Sequence, residues 1–291
     1  MAKSLVRRVK DARDRFLDRV VMKRGAFRKS MHRLRQEENV YAYVAQDENG
    51  LRFLYSPTDF TIGTALIERG NWYYDEFNHF IDYVAGQANG RSAWFFDIGA
   101  NIGTQTVYAA RSDTFSRVVA VEAIPSNYEL LCANVVLNDV ADKASCHNQA
   151  VGAEPGQVTF VYNPLNPGGS RRDPGDSDLE SVSLDVMRAA DFVGEQLKGE
   201  SQPDVLTFWI DVEGMEADVV ASLEPLCAER EAYFCVEYNN DLYGESAMAN
   251  FKRYVESRAA LFELTADGLQ PIDDLSVVAR NKDIVFSSRA K

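Results

Sequence analysis

Four acids in this chain stand where apolar runs stop. Asp97 closes Trp94-Phe95-Phe96, Glu122 closes Val118–Val121, Asp211 closes Phe208–Ile210 and Glu237 closes Ala232–Val236. An apolar run of that length reads as a strand buried on both faces, and its last residue lies at the carboxyl edge of a parallel sheet, where open α/β folds bind ligands. Glycines follow the first acid at 99 and 103, and Glu122 comes 19 positions after Gly103. The glycines let the backbone turn sharply and be approached closely. An acid about 20 residues beyond such a turn is placed to hydrogen-bond ribose hydroxyls. The ligand these residues point to is a nucleoside.

The turn is not that of a dinucleotide site. A pyrophosphate calls for GxGxxG, whereas here Asn101 stands at the second glycine position. Asp97, just before the turn, would repel a pyrophosphate but suits the cationic amino group of S-adenosylmethionine, and the helix opening after Gly103 offers its N-terminus to a carboxylate. The expected cofactor is therefore S-adenosyl-L-methionine, held by Asp97, Gly99, Asn101, Gly103 and Glu122. His147 and Asn148, ending a later strand, are candidates for the adenine edge, with a buried, satisfied histidine as the plainer fate of His147.

Methyl transfer to oxygen needs alignment and removal of a proton, because a neutral alcohol is a poor nucleophile. Ile210-Asp211-Val212-Glu213-Gly214 supplies acids for this. Asp211 is expected to contact the methionyl group or the acceptor and Glu213 to act as general base, unless Glu213 is only an acid at a helix N-terminus. Glu237 joins them by the same strand-end logic. Asp211, Glu237 and Asn239 are hard oxygen donors that suit Mg²⁺, but no spacing demands an ion and no metal is assigned.

With these residues in view, the chain resembles the FkbM-type methyltransferases. The resemblance rests on DIGANIG, on VVAVEAIPSNYELLCANVVLND, on SVSLD at 181–185 and on FWIDVEGMEADVV at 208–220, and it runs from about Asp59 to the end. It implies a class I methyltransferase (Rossmann-like) α/β fold and transfer of a methyl group from S-adenosylmethionine, usually to an oxygen of a glycan or a natural product. The expected acceptor is a hydroxyl of a glycan or glycolipid. A natural product or protein acceptor, and a non-catalytic binding protein retaining the fold, stay open. One departure stands out: the family commonly has lysine two residues before the acid of IDVEG, and this chain has Trp209.

The elements that must position these residues alternate from residue 91 onward: strands near 94–97, 117–122, 144–149, 205–211 and 232–237, helices at 104–111, 126–137, 185–196 and 214–223. Such alternation predicts a mostly parallel sheet with helices on both faces. Leu261–Leu264, a turn at Asp267-Gly268 and Ile284–Ser287 give two more strands, which the resemblance implies form the antiparallel hairpin closing the sheet. Residues 163–180, rich in Pro and Gly, read as a loop, either a lid or a plain insertion. Ahead of the sheet, residues 36–90 read as a cap: a hairpin with Asn49-Gly50 at its tip, then helix over 58–88 with an aromatic cluster that is core or a stacking platform for sugar rings.

Residues 1–35 carry a charge of +10, leaving −23 on the remainder of a chain whose net charge is −13. An acidic body argues against wide contact with nucleic acid. The basic arm has apolar residues at Leu5, Val9, Ala12, Phe16 and Val20, a pattern of a helix lying on an anionic membrane surface or docked on a partner. With no signal-peptide pattern and no spanning apolar stretch, the expected location is the cytoplasm, with peripheral contact to the inner membrane surface through the arm. Oligomeric state is not legible. Cys132, Cys146, Cys227 and Cys235 form no CxxC pair and read as reduced core thiols.

Overall fold

The structure is a computed structural model that describes residues 42–161, 171–172, 181–199, 201–212, 214–228, 230–239, 245–279 and 281–290. The basic arm, Glu213 and most of the 163–180 stretch lie outside the described residues.

The described chain opens with the expected hairpin, Tyr43–Gln46 (β1) and Arg52–Tyr55 (β2), paired antiparallel. Asp47 closes its turn by accepting the N–H groups of Asn49 and Leu51, both at 2.8 Å. Two helices follow, Ile62–Glu68 (α1) and Tyr74–Ala88 (α2), where the sequence predicted one helical stretch. The break falls at Gly70, which has a φ of 85°. Ala93–Ile98 (β3), Thr104–Arg111 (α3), Phe115–Glu122 (β4), Pro125–Leu137 (α4) and Ala144–Asn148 (β5) come next.

An inserted small sheet interrupts the alternation. It contains Ala150–Gly152 (β6), Gly156–Val161 (β7), Arg171–Arg172 (β8) and Ser181–Arg188 (β9), in the order β6-β9-β7-β8. The helix predicted over 185–196 therefore begins only at Ala189 (α5, Ala189–Gln196). Ser181 to Arg188 alternate between exposed and half-buried at every step, a period of two that belongs to a strand with one covered face.

The main sheet resumes with Val205–Ile210 (β10), Glu216–Ala228 (α6), Glu231–Tyr238 (β11), Glu245–Glu256 (α7), Leu261–Thr265 (β12), Gly268–Pro271 (β13) and Lys282–Ser287 (β14). Its order is β13-β12-β14-β11-β10-β3-β4-β5. The five strands from β11 to β5 run parallel, and β14, β12 and β13 are antiparallel additions. This bears out the class I fold, with one correction to its closing hairpin. The Asp267-Gly268 turn joins β12 to β13, while β14 inserts between β11 and β12.

Alternate residues of the buried strands feed two cores. Phe95, Val118, Trp209 and Cys235 face one side, against α2 to α4 and the hairpin. Phe96, Val121, Phe208 and Phe234 face the other, against α5 to α7. The hairpin and α2 share the first core, so Phe53 and Phe77 pack with Tyr108 and Phe95 as one body. Asn134 and Asn138, one turn apart on α4, hold the hairpin as a neighbouring strand would. Their carboxamides accept from the N–H groups of Leu54 (2.6 Å) and Arg52 (2.9 Å) and donate to the carbonyls of the same two residues (2.9 and 2.7 Å).

Neighbouring β3 and β10 mark the switch point of the sheet. From β3 the chain moves outward to β4 and β5, and from β10 it moves the other way to β11. A crevice must open beyond the carboxyl ends of β3 and β10. All four cysteines are free thiols. Among the described residues no helix is long and apolar enough to cross a membrane.

Candidate active site

Two clefts open at that switch point and share Gly99, Asn101 and Asp211. The first lies over β4 and the inserted sheet. Its apolar walls are Ile124, Ala150, Val151, Phe160, Val212 and Met215, and its polar groups include Glu122, Asn127 and Gln149. The second lies between the cap and the far half of the sheet, lined by Trp72, Tyr73, Gln105 and Trp209 together with Glu237 and Asp283.

Gly99 and Gly103 are required for reasons the structure makes specific. Their φ angles are 88° and 84°, in the left-handed region that favours glycine. A Cβ on Gly99 would lie 1.8 Å from the carbonyl oxygen of Asp211, and one on Gly103 would lie 2.5 Å from Cδ1 of Leu131. So the close approach that Gly99 permits is that of the β10 turn. It lets Asp211 reach the junction of the clefts. Asn101 is also left-handed, with φ at 49°, and its N–H donates to Glu122 Oε2 at 2.9 Å.

Glu122, expected to meet a ribose, lines the first cleft at the end of β4. It is buried, and its other oxygen accepts the N–H of Ile124 at 2.7 Å. One carboxylate thereby joins the β3 turn to the start of α4. Burial pushes its pKa up to about 7 against these hydrogen bonds. Asp97 differs from its expected role: its side chain is buried, accepts the hydroxyl of Thr106 on α3, and lines neither cleft. Burial raises its pKa to about 7, with the Thr106 hydrogen bond opposing and Glu122 adding to the rise.

Asn148 also stands back from the cleft. It donates to the carbonyls of Glu122 (2.8 Å) and Ala123 (3.0 Å), tying β5 to the end of β4. The cleft residue from this segment is its neighbour Gln149. His147 points to the opposite face, edge-on to Phe192, and burial lowers its pKa.

Asp211, exposed at the end of β10, brings its carboxylate to within 4.8 Å of those of Glu216 and Glu237. Glu216 was not foreseen. It is buried and accepts the N–H groups of Val212 (3.0 Å) and Gly214 (3.1 Å), which holds the turn that carries Asp211. Asn239, the third donor considered from the sequence, donates instead to Asn281 at 2.6 Å. Glu237 faces Asp283 in register across β11 and β14. Burial lifts both to about 7, helped at Glu237 by Glu216 and at Asp283 by Glu237 and then Glu76, with Lys282 opposing. Trp209, where the family commonly has lysine, is a buried platform between the second cleft and the rings of Phe77 and Phe80.

Ala150, Val151 and Phe160 escaped the sequence reading because they are ordinary apolar types on the inserted sheet, which the sequence reading does not include. Asp283 had a signal: an acid at the start of the apolar run Ile284–Phe286.

Residues 97–251 match the sequence model of the methyltransferase FkbM domain. The chain belongs to the FkbM methyltransferase family. The FkbM match begins at Asp97 and takes in the β3 turn, Glu122, the inserted sheet and Asp211. Methyltransferase sdnD of Sordaria araneosa is 28% identical over 127 residues, 43% of this chain and 49% of that protein. The chain thus aligns with about half the length of that curated relative. Among solved structures, the FkbM methyltransferase of Methylobacillus flagellatus KT is 17% identical, with a TM-score of 0.40 over 67% of this chain and 43% of that one. An O-methyltransferase from Bacillus cereus, solved in complex with SAH, is 10% identical, with a TM-score of 0.41 over 95% and 96% of the two chains.

Four carboxyls with raised pKa values, in and behind the two clefts, set a pH dependence of stability. Asp97, Glu122, Glu237 and Asp283 all bind a proton more tightly folded, near 7, than unfolded, near 4. Their contribution to folding is fully present below the unfolded value and is lost as pH rises from about 4 through about 7. The urea midpoint is expected to be lower at pH 8 than at pH 5.5, and Asp283→Asn to narrow the difference. A midpoint that rises over this range would contradict the assignment.

Proposed function

We propose that this FkbM family member is an S-adenosylmethionine-dependent O-methyltransferase whose acceptor is a hydroxyl of a glycan or glycolipid. The observation that carries the reading is the meeting of two chemically different clefts at Asp211. The first suits a nucleoside: Glu122 lies beside apolar walls formed by Ile124, Val151, Phe160 and Met215. The second offers aromatic rings and hydrogen-bonding side chains, the pairing that takes a sugar ring.

S-adenosylmethionine supplies a methyl group already activated as part of a sulfonium. Glu122 would take the ribose hydroxyls on a carboxylate that the N–H groups of Asn101 and Ile124 hold in place. Ile124 and Met215 would flank the base in the cleft that Asn127 and Gln149 also line. Asp211 stands where both clefts open and accepts the proton of the acceptor hydroxyl, alone or with Glu213, two residues on in the sequence. Glu216 keeps Asp211 in place. Asp97 acts at one remove, by fixing Thr106 and the first turn of α3.

Incubating the protein and methyl-labelled S-adenosylmethionine with glycolipids from cells lacking the gene should transfer label to the glycan. Asp211→Asn should lower the rate by about 10²–10⁴, as loss of a proton acceptor does, with S-adenosylhomocysteine affinity kept. Label appearing in protein or in a small natural product instead would replace the acceptor half of the reading.

A further inference from the structure

The second cleft carries more negative charge than a hydroxyl acceptor needs. Asp283 is only 9% exposed and lines the cleft, yet its carboxylate accepts no hydrogen bond among the described residues. Opposite it, one strand away, stands Glu237. Tyr73, just ahead of α2, and Glu76 in its first turn act electrostatically with the same carboxylate, and Lys282, its neighbour in sequence, is turned to Glu263 at 3.6 Å. No Lys, Arg or His is found among the described residues that line the cleft. A carboxylate as buried as that of Asp283, with a second carboxyl facing it one strand away, favours a proton or a cation beside it.

The cofactor's own amino group is not that cation for Asp283. Asp211 ends β10 beside the Gly99 turn, whereas Asp283 lies on β14, two strands further out, about 10 Å at the usual strand spacing. The aromatic wall agrees. Trp72 and Tyr73 touch with centroids 5.3 Å apart, and Tyr73 sits at a φ of 58°, a left-handed conformation costly for a bulky residue. Strain of that kind persists where surrounding structure clamps a residue for a ligand. Ring faces beside carboxylates are what an ammonium group seeks.

We propose that the acceptor cleft recognises a free ammonium group through Asp283, Glu237 and the Trp72–Tyr73 rings, so that the acceptor is an amino sugar unit rather than a neutral or phosphorylated one. This deepens the methyltransferase reading and rests on it. Without acceptor the two carboxyls hold protons near neutrality, in keeping with their raised pKa values, and the ammonium displaces them on binding.

The test uses the full chain saturated with S-adenosylhomocysteine at pH 8, titrated with glucosamine, N-acetylglucosamine and glucose 6-phosphate. Glucosamine should bind at least tenfold more tightly than either. Asp283→Asn, and independently Glu237→Gln should one variant fail to fold, should abolish the preference while cofactor affinity holds. The proposal is overturned if glucosamine does not bind, if the acetylated or phosphorylated sugar binds as well, or if the preference survives both substitutions. Failure of S-adenosylhomocysteine itself to bind the wild type would instead overturn the methyltransferase reading, and the same sugar titrations without it would still decide the amine preference.

Discussion

Alanine at position 99 is expected to destabilise the protein by about 2–5 kcal/mol, combining the penalty of a left-handed Cβ with that of overpacking. The site leaves little room for relief. The added carbon would meet the backbone carbonyl of Asp211 at 1.8 Å, and that carbonyl belongs to a turn pinned by Glu216 through the N–H groups of Val212 and Gly214. Either β3 and β10 separate at their carboxyl ends or the turn shifts, and both movements displace Asp211 from the junction of the clefts. A urea titration should show the loss, and any folded remainder should bind S-adenosylhomocysteine poorly. Gly103→Ala is a useful contrast, because its Cβ would meet the tip of a leucine side chain, which can rotate. Equal stability of Gly99→Ala and wild type would show that the β10 turn is free to move.

The second large effect is expected at Glu122. Replacing it with alanine removes the acceptor proposed for the ribose and strands N–H donors, those of Asn101 and Ile124 among them, in a buried place. Affinity for S-adenosylhomocysteine should fall by about 1–3 kcal/mol, the usual consequence of leaving such groups unpaired. Glu122→Gln keeps the shape and one acceptor oxygen, so it should fall in between. Binding unchanged in both variants would mean that the cofactor lies elsewhere in the crevice.

Much of this architecture was legible because it follows from short-range chemistry. The run from Trp94 to Gly103 encodes a buried strand, a turn and a helix start, and the structure places α3 at the predicted Thr104–Arg111. Glu122 was found from its distance to the turn, since a strand–helix–strand unit has a nearly fixed length. What was missed depends on contacts distant in sequence. Asp97 looked like a cofactor ligand, yet Thr106, nine residues on, claims it. From the sequence, residues 185–188 read as helix, although Val182, Leu184 and Val186 alternate with polar neighbours, a strand pattern whose covered face packs on Ile124 and Met215. Glu216 resembles any acid in the first turn of a helix, and only the folded turn shows that it holds Asp211. Asp283 acquires meaning only when β14 inserts beside β11 and sets it against Glu237.

Calorimetric titration of the full chain with S-adenosylhomocysteine, run beside one with NAD, tests the central claim most directly. Saturable binding of S-adenosylhomocysteine at one site, weakened by Glu122→Ala and matched by no heat from NAD, is the expected result. NAD binding without a response to S-adenosylhomocysteine would contradict the account.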